Sequence, residues 1–295
     1  MVVVSDERAG TRRRLTIALG AYVAVFAAEL VTGLVANSLA LLSDSAHVFT
    51  DLTGVALAIA ASRLAERPTS ERRTFGYLRL EILAALVNAL LLFLIGAVVL
   101  VEALRRMGGS ADVATVPMMA VAAIGLLVNV MAARLLHAHT GDLNARAIYL
   151  ELASDALGSV AVLAAGLVIV FTRYEAADAI AAILIGALIV PRTIGLVRDA
   201  VHILLEGTPK DVEVAHVRQH ILETDGVTDL HDLHVWTITS GMNVISAHVV
   251  VTADADGSRV LRDLARCLSE DFDIAHSTFQ LEGPDHRAIE VSAHD

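Results

Sequence analysis

"EILAALVNALLLFLIGAVVLVEAL" (Glu81–Leu104) carries charge only at Glu81 and Glu102. A bilayer core needs about 20 mostly apolar residues in a helix. This stretch meets that requirement with length to spare, so it decides the class of fold. "VPMMAVAAIGLLVNVMAARLL" (Val116–Leu136) repeats the pattern. Working outward, six apolar stretches emerge, at roughly 15–36, 39–64, 81–104, 114–136, 149–171 and 177–205. Pro191 predicts that the sixth ends early. The chain of 295 residues is 56% hydrophobic, with a mean hydropathy of +0.65, more apolar than soluble domains usually are.

Arginines set the predicted topology. Arg8, Arg12, Arg13 and Arg14 precede the first stretch. Arg63, Arg67, Arg72, Arg73 and Arg79 lie at or between the second and third, and Arg134 and Arg146 flank the loop after the fourth. Arg105, Arg106 and Arg173 fall on the alternate side. The positive-inside rule therefore puts both termini in the cytoplasm of a protein integral to the cell membrane. The basic "RAGTRRR" before the first stretch is similar to a signal-peptide leader, but the apolar run is too long for one and reads as a span. A single cysteine, Cys267, excludes an intramolecular disulfide framework and a zinc site based on a set of cysteines.

After Gly207 the character changes. Acidic residues clearly outnumber basic ones, which contributes to a net charge of −11 and disfavours nucleic acid as a partner. "DVEVAHVRQHILET" has helical spacing, and "GVTDLHDLHVWTI" and "NVISAHVVV" alternate as half-buried strands. "SRVLRDLARCLSEDF" reads as a second amphipathic helix and "HSTFQLE" as a last strand. The order α-β-β-α-β predicts a small ferredoxin-like α+β domain. The expected fold is thus a membrane all-α, six-helix transmembrane domain over residues 1–206, followed by a cytoplasmic domain over 207–295.

The second span contains "SDSAHVFTD" (Ser43–Asp51). His47 and Asp51 are four apart and share a helix face. In the fifth span, Glu151 and Asp155 do the same. Two helices each offering an i, i+4 pair make a four-ligand site of one imidazole and three carboxylates. An ionisable group at mid-membrane costs at least about 2.5–3.5 kcal/mol, so such a set needs a partner. A divalent cation would supply it, and exchange of that cation for protons would avoid a large uncompensated charge. Asp44, near the same stripe, either relays metal or protons or bonds to serine or backbone groups.

"LLSDSAHVFTD", "TFGYLRLEILAALVNALLL", "LNARAIYLELASDALGSV" and "VHILLEGTP…HDLHVWTITSG" together resemble the cation diffusion facilitator family, in its zinc-transporting branch. The resemblance runs from the first span to the end of the chain. It implies a homodimeric antiporter that exports cytoplasmic Zn2+ against protons by alternating access. The metal would sit between spans two and five at His47, Asp51, Glu151 and Asp155. The branch usually has histidine where this chain has Glu151. Oxygen in place of nitrogen makes the site harder and more anionic, which leaves cobalt, cadmium, manganese or iron open as cargo.

The resemblance also implies regulatory metal in the cytoplasmic domain, at His231 and His248. The last strand offers Gln280 and Glu282 at matching positions, with His276 as a substitute. His231 and His234 are three apart, an odd spacing that predicts opposite sheet faces. His216 and His220, at i, i+4 on a helix, are too weak a signal alone. The loop "HAHTGDLN" with His137 and His139 would collect metal only loosely, and the basic "ERPTSERRTFGY" should face anionic lipid or pair with the acidic cytoplasmic domain and not bind metal. No organic cofactor is implied. An enzyme has no support, since no nucleophile–base pair, phosphate loop or HExxH motif accompanies the carboxylates. A membrane-bound metal sensor that moves no ion is the rival from another class.

Overall fold

The structure is a computed structural model that describes residues 20, 22–108, 112–137, 143–274 and 276–284. Arg8, Arg12, Arg13, Arg14 and His139 lie outside the described residues, as do the side chains of His137 and Arg146. Six apolar helices come first: α1 (Tyr22–Val35), α2 (Leu39–Ala65), α3 (Leu80–Arg106), α4 (Thr115–His137), α5 (Leu143–Thr172) and α6 (Ala176–Leu204). All but α1 are long and apolar enough, within their described residues, to cross a membrane. Helix α6 runs unbroken through Pro191, so the expected early end does not occur. Proline removes one backbone donor there, and packing of the buried alanines on the same helix maintains its course.

The chain forms two compact units. The first comprises the described residues up to Leu57 together with Val87–Leu196. Its core joins Ala36, Ala40 and Leu41 to Met118 and Ala122 of α4, Val162 and Ala165 of α5, and Ala177, Ala181 and Ile185 of α6. Small residues let helix backbones approach closely where no aqueous hydrophobic drive acts between them. On the outside, Leu94, Val98, Val116 and Phe171 stand exposed, a surface suited to lipid and not to water. Helix α2 is anchored at its start. Ser38 Oγ accepts from Leu41 N at 3.1 Å, and Asp178 accepts from Leu39 N at 2.6 Å and from Ala40 N at 3.3 Å, capping the free N–H groups.

The second unit comprises Ala58–Leu86 and the described residues from Val197 onward. It contains α7 (Val214–Leu222), β1 (Val227–Thr239), β2 (Met242–Val251), α8 (Gly257–Phe272) and β3 (His276–Glu282). The sheet order is β1-β2-β3, with β1 antiparallel and β3 parallel to β2. Val217 and Ile221 of α7 and Val260, Leu264 and Leu268 of α8 pack with Leu230, Val235, Ile245, Ala247 and Val249 of the sheet. Asp256 caps α8 by accepting from Ser258 N and Arg259 N. Gly241, at φ +73°, closes the two-residue turn between β1 and β2. Glu81 of α3 accepts from Ser240 Oγ at 2.7 Å and from Thr239 Oγ1 at 2.5 Å. In the basic stretch and just beyond it, Arg73 lies 4.3 Å above the Tyr77 ring and Arg79 pairs with Glu206 at 2.8 Å.

The register corrects one expectation. His231 pairs with His248 and His234 with Ser246, so two residues on β1, Asp232 and Leu233, oppose the single Ala247 on β2. Asp232, at φ +47°, absorbs the extra residue in a bulge. Positions 246 and 248 share a face, so His231 and His234 also share one instead of pointing apart. That face is opposite the one bearing Val235, Ile245 and Val249, which pack with the helices.

Candidate metal centre

Helical spacing places His47 and Asp51 on one face of α2, and Glu151 and Asp155 on one face of α5. Two contacts hold the helices together beside them. Ser159 Oγ donates to Asp44 Oδ2 at 3.3 Å. A Cβ on Gly158 would stand 2.5 Å from Asp44 Oδ1, so only glycine leaves room for that carboxylate. Asp44 is thereby buried against α5 and does not join the cluster formed by His47, Asp51 and Asp155.

His47 Nε2 faces all three other sequence-predicted residues. It lies 3.3 Å from Asp155 Oδ1, 3.8 Å from Asp51 Oδ2 and 3.9 Å from Glu151 Oε1. One ligand atom each from His47, Asp51 and Asp155 falls within 4.8 Å of the others, the size of a metal coordination shell before contraction. Asp51 Oδ2 and Asp155 Oδ1 are buried and face the His47 imidazole. Buried carboxylate oxygens converging on one imidazole nitrogen fit a cation between them. Access is uneven: the side chain of Asp155 is 2% exposed, whereas Asp51 and Glu151 are 27% and 26% exposed.

Two contributors were not read from the sequence. Tyr22 of α1 donates its hydroxyl to Asp155 Oδ2 at 2.7 Å, which turns Oδ1 toward His47. Arg192 of α6, directly after Pro191, grips Glu151 with both terminal guanidinium nitrogens, Nη1 donating to Oε1 at 2.9 Å. An arginine inside an apolar span is itself a functional signal, so Arg192 was detectable. Tyr22 was not, because nothing in sequence links it to a position 133 residues away. With His47 neutral and the three carboxylates ionised, Arg192 brings the formal charge from minus three to minus two, which a divalent cation would cancel.

The second unit holds another such set. His248 Nδ1 lies 2.9 Å from Glu282 Oε1, His231 Nε2 lies 3.4 Å from Glu282 Oε2, and the imidazoles meet edge to face at 5.1 Å. Gln280 also donates to Glu282 Oε1, at 2.8 Å. His276 pairs with Val244, four residues along β2 from His248, and its ring lies against Phe75. The substitution of His276 for a last-strand ligand is therefore not seen. His234 is exposed on the same face and lines a cavity with Trp236 and Ser246.

Two family descriptions match this chain. Residues 15–205 match the cation efflux transmembrane domain, and residues 209–284 match the cytoplasmic domain of cation efflux proteins. The chain belongs to the cation efflux, or cation diffusion facilitator, family. Among its relatives, the cation efflux system protein CzcD of Alcaligenes sp. (strain CT14) is 43% identical over 94% of this chain and 88% of its own length. The cadmium, cobalt and zinc/H(+)-K(+) antiporter of Bacillus velezensis is 38% identical over 88% of this chain and 84% of its own. The zinc transporter ZitB of Pectobacterium atrosepticum is 37% identical over 94% and 88%. In this cation efflux protein, both histidine–carboxylate clusters fall inside the matched regions.

Proposed function

We propose that the protein exports divalent metal cations from the cytoplasm, with Zn2+ as principal cargo, in exchange for protons. The observation that carries this reading is the convergence of Asp51, Glu151 and Asp155 on His47 Nε2, on two apolar helices. Ligands in that place suit translocation, whereas a sensor needs only the set in the small domain. The CzcD, ZitB and antiporter relatives support the same direction.

Metal enters from the cytoplasm, displaces protons from His47, Asp51, Glu151 and Asp155, and leaves on the far side as protons return. This requires alternating access through a six-span domain, taken to cover residues 1–206, with both termini cytoplasmic in the cell membrane. Residues 207–295 then form a ferredoxin-like cytoplasmic domain that dimerises. His231, His248 and Glu282 bind regulatory metal in it. Tyr22 orients Asp155, and Arg192 neutralises Glu151 until metal competes for it. Asp44, bonded to Ser159, supports α2 on α5. Its proton-relay role is tested by Asp44→Asn, which uncouples proton from metal flux if Asp44 relays and lowers both together if it only packs.

Inside-out vesicles presented with Zn2+, Cd2+, Co2+, Mn2+ and Fe2+ test the whole reading. Zn2+ uptake should depend on a pH gradient, and Glu151→His should narrow selectivity toward Zn2+. A parent protein that carries no Zn2+ would overturn the choice of cargo. Metal uptake indifferent to the proton gradient would overturn the exchange.

A further inference from the structure

The second unit carries a third ligand cluster, on its helices and not on the sheet face of His231 and His248. His220 of α7 meets Cys267 and Asp271 of α8, and one nitrogen, one sulfur and one carboxylate oxygen lie within 4.8 Å of one another. Cys267 and Asp271 are four apart and project from one helix face. The Cys267 thiol donates to Asp271 Oδ2 at 3.5 Å, and His220 Nε2 lies 4.0 Å from the same oxygen. Edges of a tetrahedral zinc shell with N, S and O ligands are about 3.3–3.8 Å, so small side-chain rotations close it.

The imidazole is already set for coordination. Its Nδ1 lies 3.2 Å from the His216 carbonyl oxygen, a contact that favours the tautomer protonated at Nδ1 and leaves Nε2 available to a cation. Metal-binding histidines are typically oriented by such a second contact. The Phe272 ring packs edge-on at 5.0 Å and fixes the plane. His216 is turned toward Glu213 at 3.5 Å, which explains why the His216–His220 spacing in sequence is not itself the site. None of the three side chains belongs to the core, which uses Val217, Ile221, Val260, Leu264 and Leu268.

We propose that His220, Cys267 and Asp271 form a solvent-facing site for a borderline-soft divalent cation, Zn2+ or Cd2+, with the fourth coordination position left to water. Thiolate and imidazole select such ions over Mg2+ or Mn2+. Metal releases one proton from the thiol, and thiolate plus carboxylate then balance its two charges. The site bridges α7 and α8 and exchanges its ion with solvent. It stands whether or not the protein transports.

Co2+ is the probe, applied to the full-length protein in detergent. Thiolate–Co2+ complexes show a near-ultraviolet charge-transfer band that imidazole and carboxylate complexes lack, and Cys267 is the only cysteine in the chain. The band should saturate at one Co2+ per chain, vanish in Cys267→Ser, and persist when His231 and His248 are both replaced by alanine. His220→Ala and Asp271→Ala, both changes at solvent-accessible positions, should each weaken it by roughly 10–100-fold in dissociation constant. No band while Co2+ saturates the other sites would overturn the proposal. So would a band whose affinity is unmoved by His220→Ala and Asp271→Ala, since that is a lone thiolate binding adventitiously.

Discussion

The clusters around His47 and around Glu282 use the same chemistry, imidazole and carboxylate, in different settings. Around His47 the ligands stand on two helices at i, i+4 spacing, and two carboxylates remain about a quarter exposed. One of them, Glu151, is already held by Arg192. Around Glu282 the side chains sit on adjacent strands, with Glu282 and His231 almost wholly enclosed and His248 27% exposed. The difference teaches that the same ligand chemistry can be built on helices with a counter-charge at one carboxylate or on strands with the carboxylate enclosed.

The largest effect is expected at the least exposed ligand of the helical cluster. Asp155→Asn should lower Zn2+ flux in proteoliposomes by at least about 100-fold, since removing a ligand exceeds the usual loss from its supporting contacts. Parent-like flux in that variant would break the assignment of the helical cluster to passage. Tyr22→Phe should reduce Zn2+ affinity about tenfold, measured by calorimetry, because Asp155 loses the donor that turns it toward His47.

Arg192→Gln sharpens the comparison from the opposite side. Freed of its counter-ion, Glu151 should bind metal more tightly and release it more slowly. Half-saturating Zn2+ should fall about fivefold together with maximal flux. The figure reflects an ion pair of about 1 kcal/mol, screened because the Arg192 side chain is 53% exposed. A rise in half-saturating Zn2+ would show that Arg192 supports the site instead of competing for it. The smallest effect is expected from replacing His231 and His248 with alanine. Half-saturating Zn2+ should rise about two- to threefold, with saturated flux nearly unchanged, as for loss of a modest allosteric coupling. Equal half-saturation in variant and parent would remove the regulatory role.

Much of this was legible in the chain. The apolar stretches match the helices closely, because lipid forces backbone groups to pair within each segment. His47, Asp51, Glu151 and Asp155 could be read because helical period turns a spacing of four into a shared face. Pro191 misled, since a helix packed among neighbours continues past the lost hydrogen bond. His231 and His234 misled because the bulge at Asp232 adds a residue that alternation does not count. His220 was too faint alone, and its partners Cys267 and Asp271 come from a separate helix.

The sequence by itself determined the helices, the succession of helices and strands along the small domain, and which residues could act in pairs. Those properties depend on local period and on the energy of burying backbone in lipid. Only the tertiary structure decided which pairs meet, that Tyr22 and Arg192 adjust them, and that the Asp232 bulge sets the faces of β1. These depend on close approach between distant segments, governed by residues such as Gly158 whose role shows only when its neighbour is known.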